Sequence, residues 1–196
     1  MYEAFTDPYC YPGTTVLKNR LGIHNAVVLD AFEEEITKQR ASEPLPSGRL
    51  SVTHFKAVHR HLFQDVYAWA GKFRTVRIAK AGSMFCYPEH IERELERIFA
   101  GLKLESYLRH RGSAEFAQGA AKFLAELNAV HAFRDGNGRA QTGFVALIAA
   151  QAGHALNLDM LRPKDFLEAM VSSFRGKVGP LEEAILQLVE ARPKEC

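Results

Sequence analysis

Between Asn128 and Arg139 the chain reads Asn-Ala-Val-His-Ala-Phe-Arg-Asp-Gly-Asn-Gly-Arg. His131 is the one side chain there that exchanges a proton near neutral pH, so it suits general acid–base work. Gly136, Asn137, Gly138 and Arg139 open a helix, where unpaired backbone N–H groups and the helix dipole favour an anion. The two glycines let the backbone approach a phosphate closely. Asn137 adds an amide donor and Arg139 a guanidinium, both suited to phosphate oxygens. Asp135 beside such a site would repel phosphate unless a divalent cation lay between them. Mg²⁺ is commonly held in that way, by one or two carboxylates plus substrate phosphates. The chemistry that follows is attack of a hydroxyl on a phosphorus atom, with His131 taking the proton and the loop stabilising charge. A plain Gly-Asn-Gly turn with Asp135 as a cap explains the glycines. It leaves the company of His, Phe, Asp, Asn and Arg unexplained.

Other chemistry-bearing residues read as structural. His54, His59 and His61 are five and two residues apart, which scatters them around a helix instead of giving the i,i+3 or i,i+4 spacing of shared metal ligands. Gly71-Lys72 is no P-loop: Val66 stands where the first glycine belongs and Phe73 where Ser or Thr belongs. Arg109 and Arg111 fit a solvated helix end.

Helices must position the loop. Apolar periodicity predicts helices over His24 to about Arg40, from a Ser51 cap to about Ala70, Pro88–Arg109, Ser113–His131, Asn137–Gly153, Pro163–Phe174 and Gly179–Arg192. In the first of these, Val27, Val28, Ala31, Phe32 and Ile36 form the expected apolar side, with Glu33-Glu34-Glu35 largely opposite. Phe116, Phe123, Leu124 and Leu127 lead into the loop, Phe133 anchors it, and Phe144, Leu147 and Ile148 lie beyond it. Residues 1–23 are irregular, punctuated by Pro8, Pro12 and Gly13, with Tyr2, Phe5, Tyr9 and Tyr11 laid over a core. Phe73–Tyr87 alternates with period two around an Ala81-Gly82-Ser83 turn, which predicts a β-hairpin on an otherwise all-α domain.

Size and charge narrow the classes. A chain of 196 residues with 47% hydrophobic and 24% charged residues is an ordinary globular composition and is expected to form one domain. Lys+Arg number 25 and Asp+Glu 23, a net +2, which provides little long-range attraction for nucleic acid or anionic lipid. Three cysteines without CxxC spacing (Cys10, Cys86, Cys196) argue against a disulfide framework or structural zinc and fit a reducing cytosol. No apolar run reaches the roughly 20 residues of a membrane span. The N-terminal residues lack a basic and apolar leader, so no secretory signal is expected.

His131-Ala132-Phe133-Arg134-Asp135-Gly136-Asn137-Gly138-Arg139 resembles the Fic (filamentation induced by cAMP) signature, His-x-Phe-x-Asp/Glu-Gly-Asn-Gly-Arg-x-x-Arg, at seven specified positions in register. Tyr11-Pro12-Gly13-Thr14 through Gly22-Ile23, and Leu62 through Lys72, are similar to bacterial Fic proteins as well. The resemblance implies an all-α Fic fold, 1–196, with a β-hairpin flap over the active site at about 73–87 and the signature loop at 131–142. It implies transfer of AMP from ATP to a Tyr, Thr or Ser hydroxyl of a target protein, releasing pyrophosphate. By position His131 is the general base, Asp135 the Mg²⁺ ligand, and Gly136, Asn137, Gly138 and Arg139 the nucleotide phosphate site. Lys80 and Phe85 are candidates for holding the target segment as an added strand, or else a turn charge and a core residue. Asn128, one helical turn before His131, is a candidate for orienting it or a surface polar residue.

Two positions depart from the signature: Ala132 replaces a usual proline, and Thr142 stands at the second arginine. A hydroxyl cannot replace a bidentate guanidinium, so the departure points to weak ATP binding, another nucleotide or phosphate group, or an impaired Fic-fold interaction module. No glutamate here is followed by Gly or Asn, as the family's self-inhibition motif requires. The resemblance is then to members restrained by a separate small antitoxin that supplies the inhibitory glutamate. These toxins modify type II topoisomerase subunits in the bacterial cytoplasm; related domains occur in effectors translocated into host cells. Neither direct nucleic-acid binding nor membrane association is expected.

Overall fold

A computed structural model describes residues 7–80 and 83–190. The fold is all-helical with one small hairpin: α1 (Ala26–Ser42), α2 (Val52–Phe63), β1 (Ala79–Lys80), β2 (Ser83–Met84), α3 (Ile91–Leu104), α4 (Ser113–Val130), α5 (Asn137–Ala152), α6 (Pro163–Phe174) and α7 (Gly179–Glu190). The residues group into two compact units. One runs up to Glu92 and includes His131–Gly143; the other is Arg93–Val130 with Phe144 onward. In the second unit α4 packs along α6 and α7, burying Phe116, Leu124, Leu181 and Ile185.

In the first unit, Asn25 caps α1, accepting the Val28 N–H at 3.2 Å. The expected apolar side of this helix is not the buried one. Val27 and Val28 are 77% and 53% exposed, while Leu29 and Thr37 are buried. The helix docks through the 29–33–37 ridge, so a glutamate and a threonine face inward for reasons periodicity of apolar residues cannot register. Ser51 caps α2 as expected, accepting from the His54 N–H.

α2 stops at Phe63 and does not run to Ala70. The Val66 and Tyr67 N–H groups both donate to the Phe63 carbonyl, and Ala70 donates to Tyr67, so the segment continues as successive turns. Such turns still bring Val66 and Tyr67 inward at near-helical spacing, which explains the overextended expectation. The expected long helix over Pro88–Arg109 is also divided. A 3₁₀ turn, Pro88–His90, precedes α3, and Ser106, Tyr107 and Leu108 have φ of 53, 58 and 61°. This left-handed kink replaces the solvated helix end read there. It drives Leu108 to 1% exposure, 2.6 Å from where a Gly119 Cβ would stand on α4.

The hairpin pairs Ala79 with Met84 and Lys80 with Ser83, and the Phe85 N–H donates to the Ile78 carbonyl at 3.3 Å. It is shorter than the alternation from Phe73 suggested, because Arg74, Thr75 and Val76 bond elsewhere: the Arg74 N–H to the Ala132 carbonyl, the Thr75 N–H to the Tyr9 hydroxyl and the Val76 carbonyl to the Arg74 side chain. Residues 81–82 of the expected turn lie outside the described residues, as do Tyr2, Phe5, residues 191–192 of the last expected helix, and Cys196.

Candidate active site

α4 ends at Val130, and His131 turns the chain with a φ of 50°. Phe133 then plunges into the first unit with no exposure, among the rings of Phe55, Phe73 and His59, the last stacked at 3.7 Å. Asn137 closes the loop over it. Its Oδ1 accepts the Phe133 N–H at 2.9 Å and its Nδ2 donates to the Phe133 carbonyl at 2.8 Å. A primary amide has two N–H donors, and this bond uses one. The first role of Asn137 is therefore to shape the loop.

The carbonyl of Asp135 accepts from His59 Nε2 at 3.0 Å, while His59 Nδ1 accepts the Gly71 N–H at 2.9 Å. These two bonds set the tautomer. Burial holds the His59 imidazole down at about 4, so it is neutral at physiological pH. His54 and His61 bond to backbone carbonyls of Pro46 and Arg40. No cluster of three metal-ligating side chains occurs among the described residues.

The two loop glycines have different surroundings. Gly136 has a φ of 74°, and a Cβ there would sit 2.2 Å from the Phe63 ring. Gly138 meets nothing within 4 Å. Close packing requires the first; the second leaves the start of α5 open to a ligand. Arg139 is not free-standing. Its Nη2 donates to Glu33, its Nη1 to Thr37 Oγ1 at 3.0 Å, and its guanidinium lies 4.6 Å from the Phe63 ring centre. Glu33 also accepts the Tyr67 hydroxyl, whose proton is held firmly by burial and the neighbouring carboxylate. Two of five guanidinium N–H groups are thus engaged. Glu33, Thr37 and Tyr67 are partners that no sequence motif marks. Polar residues on the buried ridge of α1 are the signal that could have found them.

Arg134 is 4% exposed and ion-paired with Asp7, whose carboxylate also neighbours the Cys10 thiol. Burial first, then Asp7, raises the Cys10 thiol. Arg134 is therefore tied to the N-terminal segment. Asn128 donates to the Met170 carbonyl at 2.9 Å, tying α4 to α6 within the second unit. Asn128 is 8% exposed, so it is a buried residue and not the surface polar one of the alternative reading. Lys80 lies on β1, with its side chain outside the described residues. Phe85 is 7% exposed and stacks on the His131 ring at 3.9 Å, 14° from parallel, so its ring lies against the histidine. Arg74, unremarked in the sequence, is 2% exposed and reaches the His131 carbonyl at 2.8 Å.

A cleft of about 1340 Å³ runs beside the loop, lined by Tyr11, Thr14, Lys18, Glu33, Tyr67 and Asp135 among others. Of residues 131–139 only Arg134 and Asp135 line it, and its volume is ample for a nucleotide-sized ligand. Of the nearby carboxylates, Asp7 pairs with Arg134, and Glu33 with Arg139 and Tyr67. Asp135 is half-buried, and its Oδ1 accepts the Gly136 N–H at 2.6 Å. One such carboxylate fits a Mg²⁺ ion whose other ligands are substrate phosphates and water.

Comparison with known proteins identifies the family. The Fic/DOC family matches residues 49–149, spanning α2, the hairpin, the loop and most of α5. A Sinorhizobium fredii protein named probable protein adenylyltransferase y4lH is 49% identical over 189 residues, covering 96% of this chain and 98% of the relative. A Salmonella typhimurium protein named probable protein adenylyltransferase Fic is 37% identical over 195 residues, covering 96% of each. The N-terminal Fic domain of a Bartonella quintana effector, solved with ADP bound, superposes with a TM-score of 0.85 at 25% identity, covering 92% of this chain and 94% of that one. The chain belongs to the Fic/DOC family.

Proposed function

We propose that this chain is a protein adenylyltransferase, moving AMP from ATP to a hydroxyl side chain of a protein. The observation that carries the proposal is the preorganised 131–139 loop. Phe133 and Asn137 lock its shape, and Gly138 leaves the start of α5 open. Backbone N–H groups there, with the second N–H of Asn137 and the outward edge of Arg139, receive the triphosphate. His131 takes the proton of the incoming hydroxyl as its oxygen bonds to the α-phosphorus. The bond from that phosphorus to the bridging oxygen breaks, and pyrophosphate leaves with the electron pair. Asp135 would hold Mg²⁺, which supplies neutralisation of the phosphate charge when bound. The names of the relatives, and the ADP bound to the Bartonella quintana domain, support the same reading.

The target offers a Tyr, Thr or Ser hydroxyl, presented as an extended segment along the hairpin that carries Lys80. Type II topoisomerase subunits are the proposed targets, in the bacterial cytoplasm, with a separate small protein as inhibitor and 1–196 acting as a single Fic domain. Incubation with ATP labelled at the α-phosphate, Mg²⁺ and bacterial lysate should label a protein, and His131→Ala should abolish the label. No label at saturating ATP sinks the proposal. Thr142 favours one second reading, a different nucleotide or phosphate donor; the mass added to the labelled protein distinguishes the two.

A further inference from the structure

Arg74 lies 57 residues before His131, yet its side chain binds it. A guanidinium stays charged and is expensive to bury, so a buried one must be fully engaged. Nε donates to the His131 carbonyl at 2.8 Å, Nη1 to the Val76 carbonyl at 2.7 Å and Nη2 to the Cys86 carbonyl at 2.5 Å. The Arg74 N–H donates to the Ala132 carbonyl at 3.0 Å. One residue therefore holds the chain just before β1, just after β2, and the first two residues of the signature loop.

Two further observations converge on the same point. Phe85, adjacent to Cys86 and bonded to Ile78, stacks on the His131 imidazole. His131 itself adopts a φ of 50°, a conformation that a residue with a side chain holds only where its surroundings impose it. The bonds from Arg74 to the carbonyls of His131 and Ala132 hold the backbone at and just after this residue. The planar fork of arginine can serve three carbonyls at once; the point charge of lysine cannot match that geometry.

We propose that Arg74 is a positioning residue: it fixes His131 to the hairpin, so that a hydroxyl presented along the hairpin edge meets the imidazole in register. The inference rests on His131 being the general base. The test compares Arg74→Lys and Phe85→Leu with the unmodified chain by label transfer to lysate protein, ATP affinity by calorimetry, and the His131 ring resonances by NMR. Misplacing a reacting group by about 1 Å can lower a rate by about 100-fold. Arg74→Lys should slow transfer by about that factor and shift the His131 resonances, with ATP affinity within about twofold of the unmodified chain. Phe85→Leu should slow transfer by about tenfold, and it carries the test if Arg74→Lys does not fold. Transfer within about threefold in a folded variant overturns the proposal. So does a parallel fall in transfer and ATP affinity, which would make Arg74 merely structural. Full labelling by His131→Ala would instead overturn the functional reading, leaving the NMR comparison to judge whether Arg74 places the ring.

Discussion

Gly136 and Gly138 are two residues apart and answer to different forces. Gly136 combines a φ of 74° with a Phe63 ring 2.2 Å from any Cβ. Gly136→Ala should therefore destabilise the fold by about 3 kcal/mol, through overpacking and backbone strain together. Thermal melts should show a midpoint lowered by roughly 6–12 °C. Gly138→Ala should leave the melting temperature nearly unchanged and weaken ATP binding by about tenfold, because its Cβ would occupy the space of the anion. Equal loss of stability in both variants would refute the distinction. Thr142 makes the complementary case. Restoring a guanidinium with Thr142→Arg adds one charge-assisted hydrogen bond to phosphate, worth about 1.5–3 kcal/mol. Calorimetry should show ATP binding tightened by roughly 10- to 100-fold.

At the scale of elements, the loop is held by helices distant in sequence. His59 on α2 reaches the Asp135 carbonyl, and Glu33 and Thr37 on α1 reach Arg139. The His59 bridge ties stability to pH. Its imidazole remains neutral in the folded chain down to about 4, whereas in the unfolded chain it titrates near 6.5. Between those values the unfolded state binds more protons. Stability is complete above about pH 6.5 and declines as pH falls toward 4, by about 3 kcal/mol in all. Urea denaturation at pH 7.5 and pH 4.5 should show this loss, and His59→Gln should flatten it. An unchanged slope in that variant would assign the acid sensitivity elsewhere.

For the molecule as a whole, the residues proposed for chemistry all lie in the first compact unit, while α4, α6 and α7 build the core of the second. Ile185 is 1% exposed there. Ile185→Ala should cost about 2–5 kcal/mol of stability. The folded fraction should keep its ATP affinity, measured by calorimetry well below the melting point; a matching loss of affinity would contradict that separation. No helix among the described residues is long and apolar enough to cross a membrane. The proposed phosphate site lies at one helix start, so a net charge of +2 does not disfavour a nucleotide enzyme.

The loop from His131 to Arg139 was legible in the sequence because its signal is local: consecutive residues, two glycines and a helix start suffice to mark where it lies, and its proposed chemistry rests on those same residues. The helices α4 through α7 were legible because their buried faces are apolar and periodic. What escaped the sequence are the contacts made across it. Periodicity took the apolar Val27 and Val28 for the buried side of α1 and overlooked the ridge through Glu33 and Thr37. It extended α2 through turns that mimic helical spacing. It had no means of seeing that Arg74, Glu33 and His59 converge on the loop from 57, 106 and 76 residues away. Residue identities determined which chemistry the chain can perform. Only the tertiary structure decided which side chains hold that chemistry in place, because a buried polar group declares its role through the partner that satisfies it.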